Sequence, residues 1–533
     1  MSEKNIEKEK KKKTDGRKGS SLKFRKAAAN FPARFVLSIL LIVIEILVTI
    51  NLTFLLEEWV VFVGFILVVI GVVAFFYIVN KDEPAAYKLP WVVLFSILPI
   101  PGVIIYSIFG KSDQSKRVRK IFGKACVKTD EYLKQDERIF NEAESVSPDG
   151  ASLMKYLTKV SRYPAQDGTE TRYFSSGESF FESLKQDLRS AKRYVFMEYF
   201  IISPGKMWGE IFDILKERIA DGVKVFVMYD DIGSMKNTPA DFDAMLRKEG
   251  FFAYKFNPIS PILTTTHNNR DHRKITVIDG EIAYTGGVNI ADEYINEIKR
   301  FGKWKDSAVR LSGAATDSFV FMFCELYNLF AREQINPEEY LATHGEKSGC
   351  GFVQPYGDGP RPADNDYIGK NLYLGIINSA KKYLYIATPY LIMGYEAEEA
   401  LCVAAKRGVE VIVTTPHIPD KKSVFVMTRS CYGKLIAAGV KVYEYGPGFI
   451  HSKIILADDA LAVIGTVNFD YRSFVHHFEC GAFMVGTSAI PDIKEDYLKT
   501  ISIDGILQTE QSAMLNFKER LIKNVIGVIA PLL

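Results

Sequence analysis

The first apolar stretch of the chain covers residues 35–56, 22 positions interrupted by Glu45, and a second covers residues 60–79. Both are long enough to cross about 30 Å of hydrocarbon as helices. A lone charge in mid-span costs about 3 kcal/mol, so Glu45 is expected to face a protein interior or a polar lipid group. A cleaved leader has a shorter apolar core and a small-residue cleavage site, and the pattern therefore predicts a retained anchor. A third block, residues 91–109, contains Pro99, Pro101 and Gly102. These residues remove helix hydrogen bonds and predict a broken or re-entrant path in place of a clean crossing.

Past residue 110 the pattern becomes polar and mixed. Turn signals at Ser147-Pro148-Asp149-Gly150 and Gln166-Asp167-Gly168 mark residues 111–172 as a linker or adaptor. Beyond it one arrangement occurs twice. Ala191-Lys192-Arg193-Tyr194 leads into a β-rich stretch, and Ala380-Lys381-Lys382-Tyr383 does the same 189 residues later. Gly222 and Gly408 each end a helical stretch and open an apolar strand, and Gly250 and Gly439 end the next helix in each copy. Glycine just past a helix, followed by an apolar run, is the signature of an αβ junction. Strand, helix, strand, helix, strand in each half predicts two α/β domains with parallel or mixed sheets. The resulting organisation is a basic tail (1–34), a membrane region (35–110), the linker (111–172) and two domains (173–345 and 346–533).

With 48% hydrophobic and 25% charged residues, the 533-residue chain is neither disordered nor collagen-like. Its net charge of +3 hides an asymmetry: the first 34 residues hold twelve Lys or Arg against four acids, leaving the remainder acidic. A nucleic-acid enzyme carries its positive charge on the folded body, so that class is disfavoured. A second basic cluster follows the third apolar block, at Lys111, Lys116, Arg117, Arg119, Lys120, Lys124 and Lys128. Basic flanks resist translocation, so both are expected in the cytoplasm, with two spans and a third element that dips into one leaflet. The six cysteines show no CxxC spacing and read as reduced core thiols.

The chemistry lies in a repeated motif. His272, Lys274, Asp279 and Asn289 recur as His451, Lys453, Asp458 and Asn468 with identical spacing. A single His-x-Lys-x4-Asp arises by accident about 0.03 times in such a chain, and two with the matching Asn about 10⁻⁶ times. Residues i and i+2 of a strand share a face, so each His and Lys point the same way. Two such pairs are costly to bury without a partner anion. A phosphodiester fits, because Lys ammonium and Asn amide groups suit its non-bridging oxygens. One imidazole can attack phosphorus while the other protonates the departing alkoxide. Asp306 and Glu479 are candidates to fix the ring tautomers. His-x-Lys lacks zinc-ligand spacing and the lysines supply charge, so no metal is expected.

Paired His-x-Lys-x4-Asp motifs of this kind resemble those of the phospholipase D superfamily. More narrowly, the chain is similar to bacterial cardiolipin synthases over nearly its full length. The residues that carry the likeness include Glu198-Tyr199-Phe200, Tyr229-Asp230-Asp231, Asn269-Arg270-Asp271-His272, Gly286-Gly287-Val288-Asn289, Trp304-Lys305-Asp306 and Asn468-Phe469-Asp470-Tyr471-Arg472-Ser473. The resemblance implies two phospholipase D-like α/β domains about a pseudo-twofold axis, with both histidines on one phosphorus. It implies a phosphohistidine intermediate with His272 as nucleophile and His451 as acid and base, oriented by Asp306 and Glu479. It also implies Asn289, Asn468 and Ser473 near the phosphate, no cofactor, phosphatidylglycerol and cardiolipin as lipid partners, and a multi-pass bacterial cell-membrane location. His476-His477-Phe478-Glu479 stands where Leu-Asn-Phe-Glu is expected, which passes an amide's task to His477.

Exchange of one phosphodiester for another is nearly isoenergetic, and the chain has no GxxxxGK[ST] loop, so no nucleotide is expected. A phospholipid hydrolase differs only in water replacing glycerol, and a non-catalytic membrane scaffold would have no reason to keep both His-Lys pairs. These readings, and self-association, stay open at the level of sequence.

Overall fold

The structure, a computed structural model, describes residues 58–81, 83–109, 129–258, 269–345, 348–360 and 366–530. The chain forms two compact units, residues 1–107 and 108–533.

In the N-terminal unit the interruption expected in the third apolar block falls at Leu98, between helices Ala85–Ile97 and Pro99–Phe109. Proline disfavours the helical region for the residue before it, and Leu98 is accordingly extended, with φ −135°. The chain turns back there, so that Tyr106 packs edge-on against Trp91 and Phe95, with centroids 5.1 and 5.7 Å apart. The expected pair of membrane spans is not shown. Residues 35–56 lie outside the described residues. Helix Glu58–Val79 covers the second apolar run, but part of its first two turns lacks described side chains. Among the described residues no helix is long and apolar enough to cross a membrane.

The second unit is built on two sheets with matching strand orders. The first runs Glu170–Phe174, Ala308–Ser312, Ile282–Gly286, Lys274–Ile278, Tyr194–Tyr199, Lys224–Asp230, Phe252–Phe256. The second repeats that order as Phe352–Asp358, Glu479–Val485, Leu461–Gly465, Ile454–Ala457, Tyr383–Ala387, Glu410–Pro416, Lys441–Tyr445, and adds a short strand at each edge. The last three strands of each series are parallel and the others antiparallel. The junction glycines Gly222, Gly250, Gly408 and Gly439 all have φ between +91° and +100°, the left-handed region that ends a helix cheaply only for glycine.

The central strands are covered on both faces, which is why the sequence shows unbroken apolar runs there in place of alternation. In Tyr194–Tyr199, Tyr194 and Phe196 face the core shared by the two sheets, while Val195, Met197 and Tyr199 face the outer helices. Ile454 and Leu456 enter that same shared core from the second sheet, and Ile455 and Ala457 turn away from it. Helix Thr316–Phe330 is buried on nearly all sides because it lies in this central layer, joined there by helix Ala489–Asp504 through Ile490, Ile493 and Tyr497. The polar segment after residue 128 is packed, not slack. Ser147-Pro148-Asp149-Gly150, expected as a turn, starts helix Pro148–Ser161: the Ser147 hydroxyl accepts from Gly150 N at 3.0 Å and proline occupies the first helical turn. This helix and Arg138–Val146 bury Met154, Leu157 and Phe140 against the second sheet's outer face.

The aspartates of the two motifs have a structural place that the spacing did not reveal. Asp279, just past the far end of strand Lys274–Ile278, accepts hydrogen bonds from the backbone N–H groups of Lys192, Arg193 and Tyr194 at 2.7–2.8 Å. Asp458 accepts from Lys381, Lys382 and Tyr383 at 2.7–2.9 Å. Each clamps the entrance of the neighbouring strand, at the opposite end of its own strand from the histidine. Both carboxylates, expected among the catalytic side chains, are thus engaged by backbone N–H groups. Asp279→Ala leaves three backbone donors without an acceptor and is expected to cost on the order of 3 kcal/mol of stability. A lowered unfolding midpoint with kcat intact at temperatures where the variant stays folded is the expected result; a loss of kcat in fully folded protein would place Asp279 in the chemistry.

Candidate active site

The two motif histidines lie where the halves meet, and each is held by the half to which it does not belong. His272 Nδ1 is 2.9–3.0 Å from the Glu479 carboxylate, and His451 Nδ1 is 2.7 Å from Asp306 Oδ2. The backbone is crossed in the same sense. His272 N donates to Phe478 O at 2.9 Å, and His451 N donates to Lys305 O at 2.7 Å. Strand Gly448–Ile450 pairs in parallel with Lys303–Lys305, and Asp271 forms the equivalent bridge to Phe478. These contacts relate the two sites by a pseudo-twofold.

The loop that delivers His272 is fixed from below. Arg270 donates to Asp230 Oδ1 through Nε at 3.0 Å and Nη2 at 2.7 Å, and Asp271 N donates to Asp230 Oδ2 at 3.0 Å. Arg273, fully buried, reaches the carbonyls of Glu479 and Met322 at 3.2 Å and ties the loop to the central helix. Lys274 and Lys453 each donate to the carbonyl of the histidine two residues earlier. Lys453 Nζ also stands 2.9 Å from His451 Nδ1.

Burial sets the charges. It pushes both imidazoles well below their ordinary value; Glu479 opposes this at His272, whereas Lys453 and Lys274 reinforce it at His451. Burial likewise pushes Lys274 down to about 8 and Lys453 down to about 7. The two carboxylates then diverge. Burial raises Asp306 to about 7 against the opposing charge of Lys453. At Glu479 the effect of burial is outweighed by His272 and His477, which hold the carboxyl well below the usual range. Gly287 and Thr466 occupy matching positions in this asymmetric pair. A Cβ on Gly287 would come within 2.0 Å of Asp306 Oδ1, while Thr466 donates its hydroxyl proton to Glu479 Oε2.

Both histidines open onto one cavity of about 420 Å³. Its walls are apolar and aromatic, including Phe200, Trp304, Tyr390 and Phe449, and Arg300, Lys421 and Arg472 bring positive charge to it. This combination of an apolar wall with a few convergent polar groups suits a ligand with an anionic head and an apolar body.

Of the other expected residues, Asn289 and Asn468 line the cavity. The Asn289 amide is engaged by the protein, accepting from Ile201 N at 3.0 Å and donating to Tyr294 Oη at 2.7 Å. Asn468 Oδ1 is buried without a partner among the described residues. Ser473 is buried beside the site, where its N–H donates to Asp470 Oδ1 at 2.8 Å, and it is not part of the cavity wall. His477 is brought to Glu479, with Nδ1 3.5 Å from Oε1. Tyr390, Phe449 and Lys421 carry no spacing signal, and Phe200, Asp230 and Trp304 lie within the stretches that carry the family likeness, where their roles are not separable.

A family model described as cardiolipin synthase, PLD-like domain, matches residues 373–500. An uncharacterized protein of Streptococcus mutans serotype c is 39% identical over 458 residues, covering 86% of this chain and 99% of its own. A cardiolipin synthase of Alkalihalophilus pseudofirmus is 33% identical over 471 residues, covering 87% and 92%. Among solved structures, the phosphatidylserine synthase of Haemophilus influenzae Rd KW20 matches with a TM-score of 0.55 at 14% identity, over 72% of this chain and 97% of that one, a likeness of fold. With a relative of that identity aligned along most of both chains, and the paired site in place, this chain belongs to the cardiolipin synthase family of phospholipase D-like phosphatidyltransferases.

Proposed function

We propose that the protein transfers a phosphatidyl group from one phosphatidylglycerol to another, giving cardiolipin and glycerol. The observation that carries this reading is the crossed pair: two imidazoles on one cavity, each with Nδ1 on a carboxylate from the opposite half. A proton on Nδ1 leaves Nε2 as the reactive nitrogen of each ring. His272 Nε2 attacks phosphorus, and the bond to the glycerol oxygen breaks as that oxygen takes a proton from His451. The terminal hydroxyl of a second phosphatidylglycerol then returns a proton to His451 and attacks the phosphohistidine, releasing His272. His272 is assigned as nucleophile from the family likeness, and the strongly ionised Glu479 behind it supports the assignment by raising the basicity of that ring. The arriving phosphodiester anion offsets the two lysines and favours the protonated form of His451. A cavity of this size takes a headgroup and glycerol backbone, with the acyl chains left outside.

The basic flanks and apolar runs of the N-terminal region support membrane attachment with a cytoplasmic catalytic unit. Exposed Phe65, Val73 and Phe76 on helix Glu58–Val79 fit a lipid surround.

Replacing either histidine by alanine should lower kcat by about 10³ or more, since an acid and a nucleophile acting in turn cannot replace one another. A covalent phosphatidyl adduct should be trapped on His272 when wild-type turnover is quenched; an adduct on His451 would reverse the roles. Release of phosphatidic acid in place of cardiolipin would identify a hydrolase, and no turnover of any phospholipid would leave a scaffold.

The lysines titrate within the working range. Each binds phosphate as a cation, present below its pKa and lost above it, so KM should rise as pH climbs through about 7 and about 8. A KM that stays flat from about pH 6 to about pH 9 would remove the lysines from phosphate binding.

Cys350 is exposed on the catalytic unit and reports its sidedness. A membrane-impermeant thiol reagent should label it only after cells are permeabilised; labelling of intact cells would put the catalytic unit outside.

A further inference from the structure

Phosphatidyl transfer by two histidines leaves a third, His477, without a part in the bond-making steps. His477 is buried beside His272, their ring centroids 5.4 Å apart, and neither of its ring nitrogens has a hydrogen-bond partner among the described residues. Leaving both nitrogens of an imidazole dry is costly unless something else occupies them. A donor nitrogen from each of His272 and His477 and a carboxylate oxygen of Glu479 lie within 4.8 Å of one another. His272 Nδ1 is 2.9 Å from Glu479 Oε2, and His477 Nδ1 is 3.5 Å from Glu479 Oε1. Two imidazoles and one carboxylate, with a further position open, form a donor set that zinc and its neighbours prefer over magnesium or calcium. Both histidines line the cavity, which gives an ion its path.

The other half cannot do this. Two residues before Asp306, where the second half has His477 before Glu479, stands Trp304, its ring 5.3 Å from His451. An indole nitrogen donates a proton but does not ligate. The pseudo-twofold therefore offers one metal site, on the side of the proposed nucleophile.

We propose that His272, His477 and Glu479 bind a zinc-class divalent cation and that its binding inhibits phosphatidyl transfer. The ion replaces the Nδ1 proton of His272, which is released to solvent, and Glu479 exchanges its hydrogen bond for a metal bond. His477 adds a neutral lone pair. Metal on Nδ1 withdraws electron density from the ring and weakens Nε2 as a nucleophile, while the open position competes for the phosphate oxygens.

The inhibition rests on the proposed function, but the binding does not, and the two are measured separately. Full-length protein in detergent, stripped with chelator, should bind one Zn²⁺ per chain in equilibrium dialysis and show visible ligand-field bands with Co²⁺. His477→Asn and His477→Gln should each weaken Zn²⁺ binding at least about 10-fold. In a transfer assay with soluble short-chain phosphatidylglycerol, which removes effects on lipid packing, Zn²⁺ should inhibit the wild type reversibly. Either variant that turns over should need at least about 10-fold more. Unchanged Zn²⁺ affinity in the folded variants overturns the site, as does a wild-type protein without Co²⁺ bands, whatever the variants do. Binding at the site without any phosphatidyl transfer would retain the metal proposal and refute the proposed function.

Discussion

The structure depends on the exchange of partners between its halves: the imidazole of each is oriented by a carboxylate of the other. Neither half is a complete site alone, so the chemistry requires the two sheets to be held in register to a few tenths of an ångström. The crossed backbone contacts provide this. Gly448–Ile450 on Lys303–Lys305, and Asp271 on Phe478, fix the residue just before each histidine to the residue just before the opposite acid. The central layer, with Thr316–Phe330 and Ala489–Asp504 packed between the sheets, holds those contacts in place.

This arrangement concentrates buried charge. Lys274, Lys453, Arg273, Glu479 and Asp306 are all at most 2% exposed. Removing one partner of a buried pair typically costs 3–5 kcal/mol, so such a cluster persists only where its members satisfy one another or await a ligand. Arg273 is satisfied by carbonyls and Arg270 by Asp230. The two lysines are satisfied only in part, by the carbonyls of their own histidines, and burial pushes both toward neutrality. An anion between them would restore their charge, which makes the empty-handed lysines an argument for a phosphate-bearing substrate independent of the motif.

Much of this was legible because duplication writes its signal twice. Identical spacing located both histidines, lysines and asparagines, and the four junction glycines marked helix ends that the structure bears out. The crossing of partners was not legible, since spacing within each half says nothing of which acid meets which ring across the interface. The place of Asp279 and Asp458 was not legible for a related reason: a fixed interval places them on the strand, but the strand carries them to its far end, where they accept from backbone N–H groups. Ser147 and Pro148 are turn formers that equally well start a helix, and packing against the second sheet decided between the two.

The halves are similar in backbone and unequal in chemistry, and the inequality has a structural source. Around Glu479 stand Thr466, which donates to it, and His477; both stabilise the anion. Around Asp306 stand Gly287, which has no side chain to donate and could not carry one there, and Trp304, whose indole lowers the acid by less than burial raises it. Glu479 therefore stays charged behind His272, while Asp306 is raised toward neutrality behind His451. A ring backed by a full negative charge is the better base and nucleophile. One backed by a half-neutral acid and two lysines binds its proton weakly and gives it up readily. On the proposed assignment, two copies of one motif serve two different functions, because the residues that diverged are not the histidines but the neighbours that set the charge behind them.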